Sequence, residues 1–339
     1  MSESQKTISV IGAGSWGTAL AQVLAEKGIA VKLWARREEQ ASEINMTHTN
    51  SRYLPDAVIS PSIHATSDIN DALQGAEACV LVTPSSNVRD ACVLMEPFVR
   101  EDLPIVVCSK GIEQDSGLLM TQIVADVLGN GSRTAVLSGP THAEEVVRSQ
   151  PSAAVVAGTD GACVDMFADL FRTPTFRTYA SDDPIGVELC SAFKNVIAIA
   201  VGISYGLGFG DNTAAMLITR GLAEMGRAVT ACGGQAITCM GLAGAGDMVV
   251  TCMSRHSRNR RFGEDYIAKG RTLDDFTADT HMVVEGAVAA KTLQTLPCKC
   301  DLDLPLTDTV YQIIWEHADL GELKEALIAR PGKQEFYGF

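Results

Sequence analysis

Short apolar runs alternate with amphipathic stretches through the first half of the chain. TISVIG (7–12) and AVKLWA (30–35) read as strands, with TALAQVLAEKG (18–28) between them as a helix that closes at Gly28. EACVLVTPS (77–85), PIVVCSKG (104–111), TAVLSGP (134–140), SAAVVAG (152–158) and FRTYAS (176–181) predict five later strands, and VRDACVLMEPFV (88–99) a helix among the connections. The strands are almost continuously apolar, as expected of an open, mostly parallel sheet covered on both faces. After about residue 182 the pattern changes. Residues 184–206, 212–232 and 305–330 read as helices, and β-branched strand runs disappear. Asp211 or Asn212 is the expected cap of the second of these helices. Pro184 suits a first helical turn, so the boundary falls near SDDP (181–184), with a cleft expected between the two parts.

The chain has 339 residues, 46% hydrophobic and 20% charged, enough for two domains with their own cores. Its net charge of -14 disfavours nonspecific binding to nucleic acid or to anionic membranes, so an anionic ligand needs a local basic cluster. The ten cysteines are scattered. Cys298 and Cys300 are the closest pair, and neither a second pair nor a His pair completes a metal site, so no metal is expected. Cys79 and Cys108 lie in apolar runs and read as buried free thiols of a reducing compartment. No signal peptide and no uninterrupted apolar run of membrane-spanning length is evident. The expected location is the cytoplasm, with no membrane insertion.

Gly12, Gly14 and Gly17 form G-A-G-S-W-G between the first strand and the first helix. In that context the glycines allow a tight turn, backbone approach to a diphosphate and close helix packing, with the helix N-terminus facing the anion. The second strand then runs into Arg36 and Arg37, where NAD-selective sites usually carry an acid. Guanidinium groups suit a 2′-phosphate, which predicts NADPH in preference to NADH. The competing reading is a solvated helix start paired with Glu38 and Glu39.

Three later strand ends carry polar residues, where ligands of such sheets bind. They are Thr83-Pro84-Ser85, Ser109-Lys110-Gly111 and Ser138-Gly139-Pro140-Thr141-His142. Lys110 is placed to reach a phosphate or a carbonyl oxygen, or is an ordinary turn lysine. The Gly-Pro-Thr turn is equally readable as a helix entry, with Thr141 as cap and Glu144 completing a capping box.

Two features of the second half stand out. SAFKNVIAIAVGISYG (191–206) is small or apolar except at Lys194 and Asn195, and a lysine there needs a partner or a task. SRHSRNRRFG holds Arg255, Arg258, Arg260 and Arg261 in an otherwise acidic chain. Ser257, Arg258 and Asn259 would suit one small phosphate, and a solvated helical face is the equal alternative. Gly244-Ala245-Gly246-Asp247 and Thr251 lie shortly before.

These pieces together resemble the NAD(P)-dependent sn-glycerol-3-phosphate dehydrogenase family in its bacterial form. The resemblance runs from Gly12 to about Arg330 through GAGSWGTALA, SKGIE, SGPTHAEE, AFKNVIAI, NTAAMLITRGLAEM, GLAGAGDMVVTC, SRNRRFG and VVEG. It implies an α/β fold: a Rossmann dinucleotide-binding domain (1–182), then an all-α substrate domain (183–339) of the 6-phosphogluconate-dehydrogenase-like type. The implied reaction is reversible reduction of dihydroxyacetone phosphate by NADPH or NADH, supplying glycerophospholipid synthesis.

Carried to matching positions, Lys194 is the catalytic lysine. Lys110, Gly139, Thr141, Asn195, Asp247, Thr251, Ser257, Arg258 and Asn259 line the substrate site with it. Ser15, Trp16, Arg36, Arg37, Pro84, Lys110, Ala143, Arg258, Val283 and Glu285 join the Gly loop at the cofactor. The resemblance leaves a homodimer open, since related helical domains often pack in pairs. Arg36 and Arg37 stand where the family varies, and Ala245 replaces what is often a larger residue. Asp247 is the expected partner that holds Lys194.

The competing readings are a related dehydrogenase acting on a β-hydroxyacid or ketopantoate, and a nucleotide sensor without catalysis. The adjacent Lys-Asn pair and the SRNRR cluster favour a phosphorylated three-carbon substrate. A sensor would need the Gly loop but not Lys194, Asp247 and Arg258 together.

Overall fold

All seven strands foreseen from their apolar runs form, because runs such as Ile105–Val107 can lose water on both faces only inside a covered sheet. The structure, a computed structural model, describes residues 6–129, 131–280, 282–296, 302–321, 325 and 334–335. The chain folds as two compact units, Met1–Lys110 with Met120–Pro184, and Gly111–Leu119 with Ile185–Phe339.

Among the described residues the first unit holds ten strands: β1 (Thr7–Ile11), β2 (Ala30–Trp34), β3 (Thr49–Asn50), β4 (Leu54–Val58), β5 (Ile63–Thr66), β6 (Ala78–Leu81), β7 (Ile105–Val107), β8 (Thr134–Ser138), β9 (Ser152–Gly158) and β10 (Phe176–Ser181). Eight of them form one sheet in the order β10-β9-β8-β7-β6-β1-β2-β5, and β3 pairs with β4 apart from it. The strands from β8 through β5 in that order run parallel, with Ile8 opposite Val31 on one side and Ala78 on the other. β9 runs antiparallel to β8 and parallel to β10, so the mostly parallel expectation holds and the reversal is confined to one edge. The chain steps outward from β1 to β2 and β5, then returns to β6 on the other flank of β1. That reversal opens a crevice beyond the carboxyl ends of β1 and β6.

Its helices are α1 (Ser15–Glu26), α2 (Glu38–Thr47), α3 (Ile69–Leu73), α4 (Val88–Met95), α5 (Met120–Leu128), α6 (Ala143–Val146) and α7 (Gly161–Phe171). The core joins Leu20 and Leu24 of α1, Val10 and Val80 of the sheet, and Phe167 and Phe171 of α7. The strands β3 to β5 and the helix α2 carry no strong periodicity. They are short or half-exposed, and the apolar pattern does not announce them.

The second unit is helical: α8 (Pro184–Gly206), α9 (Asp211–Ala231), α10 (Asp247–Met253), α11 (Arg258–Asp265), α12 (Leu273–Thr280), α13 (Glu285–Thr292) and α14 (Pro305–Trp315). Pro184 opens α8 as expected. The expected cap of α9 is not formed. Gly210 holds the N-cap position without a side-chain bond, and Asp211 is already the first helical residue. The helix foreseen over 305–330 ends at Trp315 among the described residues, and much of its remainder lies outside them. Helix α8 is long and apolar enough by composition to cross a membrane, but 89% of its most apolar window is buried inside the protein. Glu224 on α9 caps the start of α14 by accepting N–H groups of Leu306 and Thr307, and burial pushes its carboxyl up to about 7.

Cys79 and Cys108 are buried free thiols, as are Cys92, Cys163, Cys190, Cys239 and Cys252. Cys232 is disulfide-bonded, so the thiol reading does not extend to it. Cys298 and Cys300 lie outside the described residues.

Candidate active site

At the carboxyl end of β1 the chain turns through Gly12, Ala13 and Gly14 into α1. Gly12 has φ of 122°, and a Cβ there would lie 2.8 Å from the Val82 carbonyl oxygen, so no other residue fits without moving backbone. A Cβ on Gly17 would fall 1.8 Å from the Gly12 carbonyl oxygen, which is how closely α1 packs on the loop. Gly14 faces open space, with nothing within 4 Å of its Cβ position. It is the N-cap of α1, where no side chain caps the helix and no acid occupies the first turn. The first N–H groups of α1, at Ser15, Trp16 and Gly17, therefore keep their capacity to bind an anion. Among the described residues, Trp16 Nε1 and Thr83 Oγ1 are buried without a hydrogen-bond partner. An open glycine face, an uncapped helix start and two unpartnered polar atoms fit the diphosphate of a dinucleotide.

Beyond β2, Arg36 is exposed, and Arg37 at the N-cap of α2 donates from Nη2 to Gln40 Oε1 at 3.4 Å. The alternative pairing of these arginines with Glu38 and Glu39 is not formed. Pro84 is exposed just after β6. Lys110, after β7, donates from Nζ to the Gly139 carbonyl oxygen at 3.2 Å. The hydroxyl of buried Thr141 donates to the same oxygen, also at 3.2 Å. Lys110, Gly139 and Thr141 thus form one group at the ends of β7 and β8. The capping-box alternative fails there. The helix begins one residue later than that reading needs: His142 occupies the N-cap of α6 with no side-chain cap bond, and Ala143 is the first helical residue.

In the helical unit, Lys194 projects from the middle of α8. Its Nζ donates to Asp247 Oδ1 at 2.6 Å and to Thr251 Oγ1 at 3.0 Å. Thr251 Oγ1 donates in turn to Asp247 Oδ1 at 3.2 Å. The Lys194 and Asp247 side chains are only 8% and 3% exposed. A buried ion pair survives only with close geometry and further hydrogen bonds, and Thr251 supplies one. Asp247 opens α10 directly after a π-helical turn, Leu242–Gly246, in which Gly246 N–H reaches back to the Gly241 carbonyl. Such wide turns gather at functional sites because they re-aim the residue that follows. Nearby Cys252 stays a neutral thiol, burial pushing it up to about 12.

Asn195, the next residue of α8, anchors a second cluster. Its Oδ1 accepts from Asn259 Nδ2 at 2.9 Å, and its Nδ2 donates to Glu285 Oε2 at 3.4 Å. Asn259 Oδ1 accepts the Gly286 N–H at 2.8 Å. Asn195, Asn259 and Glu285 are therefore tied together, and the Gly286 N–H completes the cluster. Ser257 caps α11 by accepting the Arg260 N–H at 3.2 Å.

The four arginines separate in the folded chain. Arg258 is exposed at the start of α11. Arg260 is buried, pairs with Glu264 at 3.2 Å, donates to the Met253 carbonyl and lies 4.6 Å from the Tyr205 ring. Arg260 is spent on packing, and Arg261 is exposed beside Asp265. Arg255 is exposed, as is Val283 ahead of α13.

Two family models match. NAD-dependent glycerol-3-phosphate dehydrogenase N-terminus covers residues 7–164, and the corresponding C-terminus covers 183–325. Among curated relatives, a glycerol-3-phosphate dehydrogenase [NAD(P)+] of Chlorobium phaeobacteroides (strain BS1) is 44% identical over 97% of this chain and 98% of its own. One of Moorella thermoacetica is 42% identical over 98% of each. Among solved structures, glycerol-3-phosphate dehydrogenase from Coxiella burnetii superposes with a TM-score of 0.90 at 37% identity, over 96% of this chain and 99% of that one. A ketopantoate reductase from Ralstonia eutropha, at 16% identity and a TM-score of 0.61 over 91% and 96%, shares the fold alone.

Proposed function

Because the chain belongs to the NAD-dependent glycerol-3-phosphate dehydrogenase family, we propose that it interconverts dihydroxyacetone phosphate and sn-glycerol 3-phosphate with NAD(P)H, using Lys194 as the acid and base. The observation that carries the role of Lys194 is its buried contact with Asp247 and Thr251. When bound, the dihydronicotinamide supplies a hydride to the ketone carbon. The carbonyl π pair moves to the oxygen, where the Lys194 ammonium meets the growing negative charge and gives up a proton. Lys194 then regains a proton from solvent. In the oxidation direction the neutral amine takes the alcohol proton. Asp247 Oδ1 and Thr251 Oγ1 hold Nζ in one position, so little reorganisation is needed at the moment of transfer.

The remaining substrate contacts are proposed for Lys110, Gly139, Thr141, Asn195, Ser257, Arg258 and Asn259, with Arg258 and Asn259 at the phosphate. For the cofactor they are Gly12, Gly14, Ser15, Trp16, Gly17, Arg36, Arg37, Pro84, Lys110, Ala143, Arg258, Val283 and Glu285. They divide between a dinucleotide domain (1–182) and a substrate domain (183–339). The exposed Arg258 guanidinium is available to a phosphate in a way that the packed Arg260 is not. Arg258→Ala is expected to raise KM for the phosphorylated ketone about 10- to 100-fold, the cost of a lost charge-assisted contact. An unchanged KM would remove Arg258 from the phosphate site.

A preference for NADPH is supported by Arg36, exposed and without a carboxylate partner among the described residues, and by Arg37. Exchanging both for neutral residues should weaken NADPH binding more than NADH binding in steady-state kinetics. Equal loss with both cofactors would refute the 2′-phosphate contact. NADPH dependence would favour reduction, with the product feeding glycerophospholipid synthesis. The net charge of -14 supports a small-molecule enzyme that binds neither nucleic acid nor membrane. Cytoplasmic residence suits the buried free thiols. A homodimer is the proposed assembly of an enzyme with exposed apolar residues such as Phe209 and Met216 on its helical unit. The direct test mixes the protein with NADPH and dihydroxyacetone phosphate and follows absorbance of the reduced cofactor. Oxidation that depends on the ketone is expected. Its absence, or turnover only with a β-hydroxyacid or ketopantoate, would overturn the reading.

A further inference from the structure

The Gly12-Ala13-Gly14 turn is braced from behind by two buried amides. Gln40 on α2 donates from Nε2 to the Ala13 carbonyl oxygen at 2.6 Å. Asn50 on β3 is 0% exposed and donates from Nδ2 to the same oxygen at 3.0 Å and to Thr18 Oγ1 at 2.8 Å. Asn50 Oδ1 accepts from Gln40 Nε2 at 3.2 Å, which closes the cluster. Buried side-chain amides are costly unless paired, and both of these donate to the same loop carbonyl.

The chemical consequence lies in the peptide between Ala13 and Gly14. In a planar trans peptide the carbonyl and the N–H point in opposite directions. Holding the Ala13 oxygen against two donors therefore aims the Gly14 N–H the other way. A glycine with nothing within 4 Å of its Cβ position offers little steric resistance to the turned-over peptide. Turned over, the loop would present a carbonyl oxygen to an anion where it should present an N–H.

We propose that Gln40 and Asn50 are positioning residues for dinucleotide binding, which lock the Ala13–Gly14 peptide with its N–H toward the diphosphate. Gln40 Oε1 also accepts from Arg37 Nη2 at 3.4 Å, so one side chain ties the arginine to the diphosphate loop. The proposal rests on the Gly loop being the diphosphate site. It does not rest on a preference for NADPH.

The test is calorimetric titration of the cofactor-free protein with NADH and, separately, NADPH. Asn50→Asp and Gln40→Glu are nearly isosteric and turn an oxygen, in place of an N–H, toward the Ala13 carbonyl. Asn50→Asp is expected to raise Kd for both dinucleotides tenfold or more, with lost turnover recovering as cofactor is raised. Gln40→Glu is expected to raise Kd for both dinucleotides as well, because it too turns an oxygen toward the Ala13 carbonyl. Thermal melting checks folding, and Asn50→Leu, which removes the donor without adding charge, serves if Asn50→Asp does not fold. A purely structural role would lower the melting temperature and leave Kd of the folded protein unchanged, and that result overturns the proposal. Wild-type protein that binds neither dinucleotide would instead overturn the cofactor reading on which it rests.

Discussion

Lys194→Ala is expected to lower turnover by about a thousandfold, within the roughly 10²–10⁴ that a positioned acid–base group contributes. Cofactor affinity should be retained, because the Gly loop and its bracing amides involve none of the residues that hold Lys194. The substitution also strands a charge. Asp247 is 3% exposed in its side chain and would lose its cation, and breaking a buried pair costs about 3–5 kcal/mol. A thermal melt must therefore accompany the kinetics, so that loss of chemistry is separated from loss of folded protein. Partial recovery of turnover by added small primary amines would mark the missing group as the amine itself. Near wild-type turnover would end the assignment.

The second large effect is expected at Asp247. Asp247→Asn keeps the shape and the bond from Thr251 but removes the counter-charge, so Nζ is no longer drawn to a fixed place at 2.6 Å. A displacement of about 1 Å at a reacting group costs on the order of a hundredfold in rate, and that is the expected loss in turnover. Asp247→Ala should lose as much turnover and should also melt lower, since it leaves the Lys194 ammonium buried beside a void. Thr251→Val removes two hydrogen bonds, from Lys194 and to Asp247, and leaves the ion pair, so its effect should be the smallest of the three. If Asp247→Asn turns over like the wild type, the carboxylate does not position the lysine.

The two predictions differ in how much of their basis the chain displayed. That Lys194 needed a partner followed from one charge in an apolar run. That Asp247 supplies it, from 53 residues away, depends on the π-turn at Leu242–Gly246 and on the packing of α8 against α10. The arginine cluster shows the opposite case. Its four guanidinium groups look alike in sequence, yet Arg260 is consumed by Glu264, Met253 and Tyr205 while Arg258 stays exposed. The capping expectations at Thr141 and Asp211 failed because each helix starts one residue away from the expected place, with His142 and Gly210 at the N-caps. Local pattern locates a helix but leaves its first residue open by one or two positions.

The residues alone determined the element types wherever a long apolar period or an obligate glycine leaves one physical solution. The buried strands, the helix Pro184–Gly206 and the Gly12 turn are of that kind, because water exclusion and backbone sterics act over a few adjacent residues. Tertiary structure decided what sequence spacing does not encode: the reversed direction of β9 and β10, the meeting of Lys194 with Asp247, and the two amides that reach back from α2 and β3 to the Ala13 carbonyl. Hydrogen bonds act over about 3 Å, so a partner is chosen only after folding has brought distant segments within that reach.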